Sequence, residues 1–158
     1  VATILKFTGR VVNIKEAFRL IKNNLWKEDS FLQIGYNQWF VLDKLANTFN
    51  HSCNPNAGIK NRADLFALRD ISKGEEIVYD YSMVTPPTIW EMACKCGNSN
   101  CRKIASDVRS IPKDVLKKYI EMGNINNITK TAIKRVLEDR AEIPKYIKSE
   151  LRSLKGIK

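Results

Sequence analysis

The chain has 158 residues, enough for one compact domain with at most a short appendage. With 44% hydrophobic residues it can bury a real core, and no apolar run approaches the length that spans a bilayer. Its formal charge of +10 suits nucleic acid or acidic protein faces, or equally a lysine-rich soluble surface, since no dense Lys/Arg cluster stands out.

The first residue is Val1 and not Met, as expected of a fragment or a processed chain, and no secretory signal pattern comes after it. Val1 to Val12 is rich in β-branched residues and predicts a strand with a turn near Gly9. Ala17, Phe18, Ile21 and Leu25 fall on one face of a helix over Lys15 to Leu25. Phe31 to Leu42 predicts two strands around Gly35-Tyr36-Asn37. Asn50 to Asn56, N-H-S-C-N-P-N, reads as a polar loop. Ala57 to Asn61 and Leu65 to Asp70 read as strands around a turn, and Glu76 to Tyr81 as another strand after the Ser72-Lys73-Gly74 turn. Thr85-Pro86-Pro87 interrupts the chain. Helices are then predicted over Pro112 to Met122, ended by Gly123, and over Thr129 to Leu137 and Lys145 to Leu154, the last two separated by Pro144. From Lys130 to Lys158 there are nine Lys/Arg and four Asp/Glu, about half of the net charge.

Four cysteines are present: Cys53, Cys94, Cys96 and Cys101. Without a secretory signal, the C-x-C-x4-C spacing of the last three reads as a metal site and not as disulfides. Structural zinc takes four thiolates or imidazoles in a tetrahedron. Cys53 or the single histidine, His51, can supply the fourth ligand, and the thiol closes the count. The polar loop around Cys53 must then lie against the cysteine loop, a common way to build a cleft. On a strand, Tyr79 and Tyr81 would share a face and present two hydroxyls together; two core tyrosines are the plainer reading.

Three segments in this order, N-H-S-C-N-P-N, G-E-E-I-V-Y-D-Y and C-K-C-G-N-S-N-C, closely resemble the SET domain with its post-SET zinc module. Upstream, I-L-K-F-T-G-R-V-V resembles the family's acidic-Tyr-x-Gly-x-Val strand, so the likeness runs from about Ile4 to Arg102. Asp107 to Gly123 also resembles the helical stretch after post-SET in compact bacterial SET proteins. The resemblance implies a mainly β fold of short sheets with peripheral helices and a pseudoknot joining Asn50-His51 to Tyr81. It implies a SET domain over residues 1–83, a post-SET module over 84–106 and a basic helical extension over 107–158.

The activity implied is methyl transfer from S-adenosylmethionine to a protein lysine. Tyr81 is the expected catalytic tyrosine. Tyr79 tunes how many methyls fit, and a tyrosine there favours mono-methylation. Asn50 and His51 are expected to bind the cofactor together with Tyr81; a structural loop histidine is the alternative for His51. Trp90 packs on adenine or peptide by analogy, or is a core residue. Phe7 lines the lysine channel with Tyr79. Cys53, Cys94, Cys96 and Cys101 hold one structural Zn2+. Asp43, Glu75 and Glu76 read as structural or solvated.

The sequence departs from the family pattern in three places. It contains no Gly-x-Gly cofactor segment, Phe7 stands where a tyrosine is usual, and Asn47 stands where an arginine is frequent. The first departure keeps a non-catalytic SET module, binding a protein tail or cofactor, as the alternative. A zinc-dependent nucleic-acid binder fits worse, because no recognition helix with paired histidines comes after the cysteines. The expected partner is a protein with an accessible lysine, with secondary nucleic-acid or acidic-protein contact through the basic tail and no membrane. The expected location is intracellular, cytoplasmic or chromatin-associated.

Overall fold

The computed structural model describes residues 2–25 and 27–155. Val1, where the first strand was expected to begin, and residues 156–158 of the expected extension lie outside the described residues. The opening segment forms β1 (Thr3–Lys6) and β2 (Gly9–Val12), which enter different sheets. β1 pairs antiparallel with β7 (Asp64–Ala67), and β7 pairs with β6 (Ala57–Lys60). β2 pairs with β4 (Gln38–Leu42), which is central in a second sheet with β3 (Phe31–Gly35). Gly9 stands at the change of sheet. A Cβ there would lie 2.3 Å from the Val41 carbonyl oxygen, so only glycine allows this approach.

Helix α1 (Ile14–Lys22) starts where Asn13 accepts the Glu16 N–H at 3.0 Å. It buries Ala17 and Leu20 against Val12 and Val41. It stops short of the expected Leu25, and Asn24 beyond its end adopts a left-handed φ of 54°.

The segment read as a loop at Asn50 instead supplies a strand. β5 (Asn50–His51) pairs in parallel with β8 (Val78–Tyr79), setting Asn50 opposite Val78 and His51 opposite Tyr79. The Ser52 N–H extends the ladder to the Tyr79 carbonyl at 3.1 Å. A polar sequence can do this because a ladder uses only backbone groups. The strand expected over Glu76 to Tyr81 is correspondingly shorter. After Tyr79 the chain enters a 3-10 turn, Tyr81–Val84, capped by the Asp80 carboxylate, which accepts the Ser82 N–H at 3.0 Å. Tyr79 and Tyr81 therefore do not share a strand face. The turn brings their rings together instead, with centroids 4.8 Å apart.

An antiparallel pair, β9 (Glu91–Ala93) and β10 (Ile104–Ser106), flanks the cysteine segment. These strands are too short to show a periodicity in sequence. Helices α2 (Lys113–Glu121), α3 (Lys130–Leu137) and α4 (Lys145–Lys155) form where expected. Packing runs across the expected boundaries at 83 and 106, since Met83 shares a core with Val108, Leu116, Tyr119, Ile133 and Val136. Between α2 and α3, Asn124 Oδ1 accepts the Ile59 N–H at 3.1 Å and Asn127 donates its N–H to Asn61 O at 2.7 Å. This covers the open edge of β6. Gly58 makes room for it, since a Cβ there would lie 2.3 Å from Asn124 Oδ1. The result is a set of small β-sheets with helices at the periphery.

Candidate active site and cysteine cluster

The Sγ atoms of Cys53, Cys94, Cys96 and Cys101 all lie within 4.8 Å of one another, with Cys53 and Cys94 at 3.7 Å. The first two are buried and the others half-buried. Two backbone N–H groups point at sulfur: Arg102 N–H to Cys53 Sγ and Lys103 N–H to Cys101 Sγ, both at 3.4 Å. Gly97 and Lys103 turn the loop with φ of 72° and 66°. Asn100 donates to the Cys53 carbonyl and Asn98 to Ser52 Oγ, each at 3.0 Å. The polar loop around Cys53 thus lies against the cysteine loop, as the ligand count required, and the four sulfurs could hold one metal ion.

His51 links this cluster to the tyrosines. Its Nδ1 accepts the Tyr81 N–H at 3.1 Å, and its Nε2 faces Cys53 Sγ at 3.5 Å. Burial lowers its pKa, although the Asp80 carboxylate works in the other direction. A neutral ring that accepts at Nδ1 carries its proton on Nε2, which then donates to the sulfur. The imidazole is thereby committed, and only the His51 backbone is left for a ligand.

Asp80, between the two tyrosines, is wholly buried and takes a two-point ion pair from Arg102, Nη1 to Oδ2 at 2.8 Å and Nη2 to Oδ1 at 2.7 Å. Arg102 Nη2 also donates to Ser82 Oγ at 3.0 Å, and the Tyr119 hydroxyl approaches Asp80 Oδ2 at 3.4 Å. Burial works against the Arg102 charge, but the Asp80 carboxylate more than offsets it, so the guanidinium is held charged. Arg102 Nε is buried without a partner among the described residues.

Tyr81 donates its hydroxyl to the Phe49 carbonyl at 2.6 Å, and burial pushes its pKa up to about 12. Tyr79 is 5% exposed and burial raises its pKa well above the ordinary phenol value; no group among the described residues hydrogen-bonds its hydroxyl. Both are neutral phenols at physiological pH, so neither is a standing base. They lie in the wall of an apolar cavity of about 210 Å³, whose other walls include Ile21, Asp29, Trp90 and Ile147. A second, more open cleft of about 840 Å³ shares Ile21, Asp29 and Trp90 with it and also includes Asn47. The Thr85 to Trp90 stretch that lines the first cavity is clamped by Asp107, which accepts the Thr88 N–H at 2.9 Å, and by Arg109, which donates to Thr88 O at 2.8 Å.

The expected site residues are therefore only partly gathered. Tyr79, Tyr81 and Trp90 line the cavity, with Trp90 half-buried and its ring 6.4 Å from that of Tyr81. Asn50 is on an exposed edge, donating to Glu76 Oε1 at 2.7 Å, so Glu76 is not merely solvated. Glu75 likewise accepts from Asn56 at 2.8 Å and pairs with Arg69. Phe7, expected in a channel wall, is 1% exposed and lies outside the cavity lining. Its ring meets the Tyr79 ring edge-on at 5.9 Å and stacks on Phe49 at 5.5 Å, so it backs the site from the core. Sequence reasoning missed Arg102, Asp29 and Ile147. An arginine directly after Cys101 and an aspartate between two buried tyrosines were the available signal for the first.

Residues 5–82 match the SET domain family, and over that span the chain is a member of it. It is 40% identical over 84 residues to a histone-lysine N-methyltransferase, H3 lysine-36 specific, of Debaryomyces hansenii, covering 49% of this chain and 11% of that protein. It is 30% identical over 127 residues to histone-lysine N-methyltransferase ASHH3 of Arabidopsis thaliana, covering 70% of this chain and 33% of the relative. The chain thus spans at most about a third of these relatives. The crystal structure of the methyltransferase domain of human histone-lysine N-methyltransferase SETMAR superposes with a TM-score of 0.52 at 21% identity, over 66% of this chain and 49% of that one, which supports the fold. No helix among the described residues is long and apolar enough to cross a membrane.

Proposed function

We propose that the chain transfers a methyl group from S-adenosylmethionine to the side-chain amine of a protein lysine and stops at one methyl. The observation that carries this reading is the Tyr79–Tyr81 pair, set in the wall of an apolar cavity that meets the open cleft at Trp90. When bound, S-adenosylmethionine supplies an electrophilic methyl. Tyr81 has its proton fixed on the Phe49 carbonyl, so its oxygen presents lone pairs only, suited to a positively polarised carbon. The apolar walls favour the neutral amine, the form that can attack, and the narrow space holds it in line. The Tyr79 hydroxyl can hold the amine or a water and so restrict the room for further methyls. Asn50 keeps an acceptor oxygen and His51 its backbone for the cofactor, and Trp90 offers a ring face to it.

The cysteine cluster suits structural zinc. Four sulfurs at about 2.3 Å from an ion stand about 3.8 Å apart in a tetrahedron, and the Cys53–Cys94 separation of 3.7 Å fits. Four thiolates would leave no open position, so an ion held there would position the loop and take no part in the chemistry.

The test is calorimetric titration of S-adenosylmethionine into zinc-loaded protein, then mass spectrometry of basic protein substrates. Saturable one-to-one binding, weakened in Asn50→Ala, and singly methylated lysine lost in Tyr81→Phe are expected. Binding without turnover on any substrate would leave a non-catalytic SET module. No binding of S-adenosylmethionine by folded protein would sink the methyl-transfer reading and leave a non-catalytic SET module that binds a protein tail.

A further inference from the structure

We propose that Ile147, on the C-terminal helix α4, is a specificity-determining residue that selects an apolar residue beside the target lysine. The inference rests on the methyl-transfer reading above and adds the class of peptide. The cavity at Tyr79 and Tyr81 is larger than a lysine side chain requires. Its volume of about 210 Å³ exceeds the roughly 150 Å³ that takes up a benzene ring in an apolar protein cavity, and lysine brings only four methylenes. The surplus is walled by Ala17, Phe18 and Ile21 of α1, with Ile89 and Ile147. Among the described residues, Asp29 is the one carboxylate in the lining. A basic side chain there would be buried largely against aliphatic carbon, away from water, which is costly. An apolar neighbour would instead remove its own surface from water.

Ile147 is 3% exposed yet lines this space. The wall it makes is pinned by its neighbour. The Gln33 amide donates to the Tyr146 hydroxyl at 2.6 Å, and the Tyr146 ring lies 4.7 Å from Tyr36 and 6.3 Å from Trp39. Gln33 itself is buried on β3, in the SET core. A rigid wall can discriminate where a mobile one would yield. α4 lies beyond residues 5–82, so the part played by Ile147 comes from the extension, while Ala17, Phe18 and Ile21 belong to the matched domain.

The experiment uses peptides that differ only beside one lysine, carrying Leu, Phe, Ala or Arg there. Methyl transfer and fluorescence-anisotropy binding are read separately for the wild type, Ile147→Ser and Ile147→Leu. The wild type should prefer Leu or Phe to Arg by roughly ten-fold or more in kcat/KM. Ile147→Ser should lose most of that preference through KM, and Ile147→Leu should keep it. If Ile147→Ser melts early, Ile147→Val carries the test with a smaller expected change. Turnover with no preference for an apolar neighbour, or a preference that survives in folded Ile147→Ser, refutes the role of Ile147 and leaves methyl transfer standing. A binding preference lost in Ile147→Ser without any turnover supports the role and refutes methyl transfer. Neither binding nor turnover overturns both.

Discussion

Replacing Arg102 with methionine should be one of the costliest single changes in this protein. The Asp80 side chain is 0% exposed and that of Arg102 only 10%, and they are joined by two charge-assisted hydrogen bonds. Without the guanidinium, Asp80 keeps the Ser82 N–H, the distant Tyr119 hydroxyl and the His51 ring at 3.6 Å, whose charge burial opposes. Stranding a buried charge in this way costs about 3–5 kcal/mol. Against a total stability of about 5–15 kcal/mol this is a large fraction. At about 2–4 °C per kcal/mol for a chain of this size, Tm should fall by about 6–20 °C. Lys113→Met is the control. Its pair with Asp139 is 46% and 80% exposed, and such pairs contribute about 0–1 kcal/mol. The assay is urea denaturation of the zinc-loaded protein, with thermal melts alongside. Adding Asp80→Asn to Arg102→Met should recover part of the loss, because the stranded charge is gone. The reasoning fails if Arg102→Met costs no more than Lys113→Met, or if the double variant is worse by the full cost of each single change.

Elemental analysis should find one zinc per chain, and Cys94→Ser should release it and lower Tm; a full complement in Cys94→Ser would contradict the four-thiolate site. Tyr79→Phe should raise the share of di- and trimethylated lysine in mass spectra of the product, and an unchanged distribution would remove Tyr79 from control of multiplicity. Glu75 is brought down to about 2 from the ordinary 4.5 by the Arg69 guanidinium, the Asn56 amide and the Ser72 N–H. Its folded pKa is depressed, so its contribution is present above pH 4.5 and fades as pH falls towards 2. Glu75→Gln should therefore flatten the stability–pH curve in that window; parallel curves for the two proteins would show that the Arg69–Glu75–Asn56 group is not coupled to folding.

Much of the candidate site was legible because its chemistry lies in residue type and local spacing. The C-x-C-x4-C run can turn tightly enough to bring three sulfurs together, and Cys53 completes the set. The Tyr79–Tyr81 pairing was read correctly for an incorrect reason. A polar cap, Asp80, ended the strand early, and period-two alternation says nothing of a 3-10 turn. The loop reading of Asn50–His51 failed because side-chain polarity does not report on a ladder made of backbone groups. Phe7, read as part of a strand, lies between β1 and β2 where the chain changes sheets, so strand alternation could not say which way its side chain faces. Ile147 was invisible, because nothing local shows that a helix at the end of the chain will meet a cavity built from residues 14 to 90.

The short turn Tyr81–Val84 is held from three directions, and this explains why so much of the molecule lies outside the matched domain. From the cysteine side, His51 fixes the Tyr81 N–H, and Arg102 grips Asp80 and Ser82. From the helical side, Thr129 donates to the Met83 carbonyl at 2.8 Å, and Met83 is buried among α2 and α3 residues. From the adjoining loop, Thr85 Oγ1 donates to the Tyr81 carbonyl at 2.8 Å, and Val108 N–H ties Thr85 O at 3.0 Å. A 3-10 turn has poor hydrogen-bond geometry of its own and rarely persists beyond a few residues. Its position must come from tertiary contacts. Both segments after residue 82 thus act on the placement of the Tyr81 hydroxyl: a cysteine loop whose four sulfurs could hold a metal ion, and helices that dock on the β6 edge. Metal loss and detachment of the helices should therefore disturb the same few atoms.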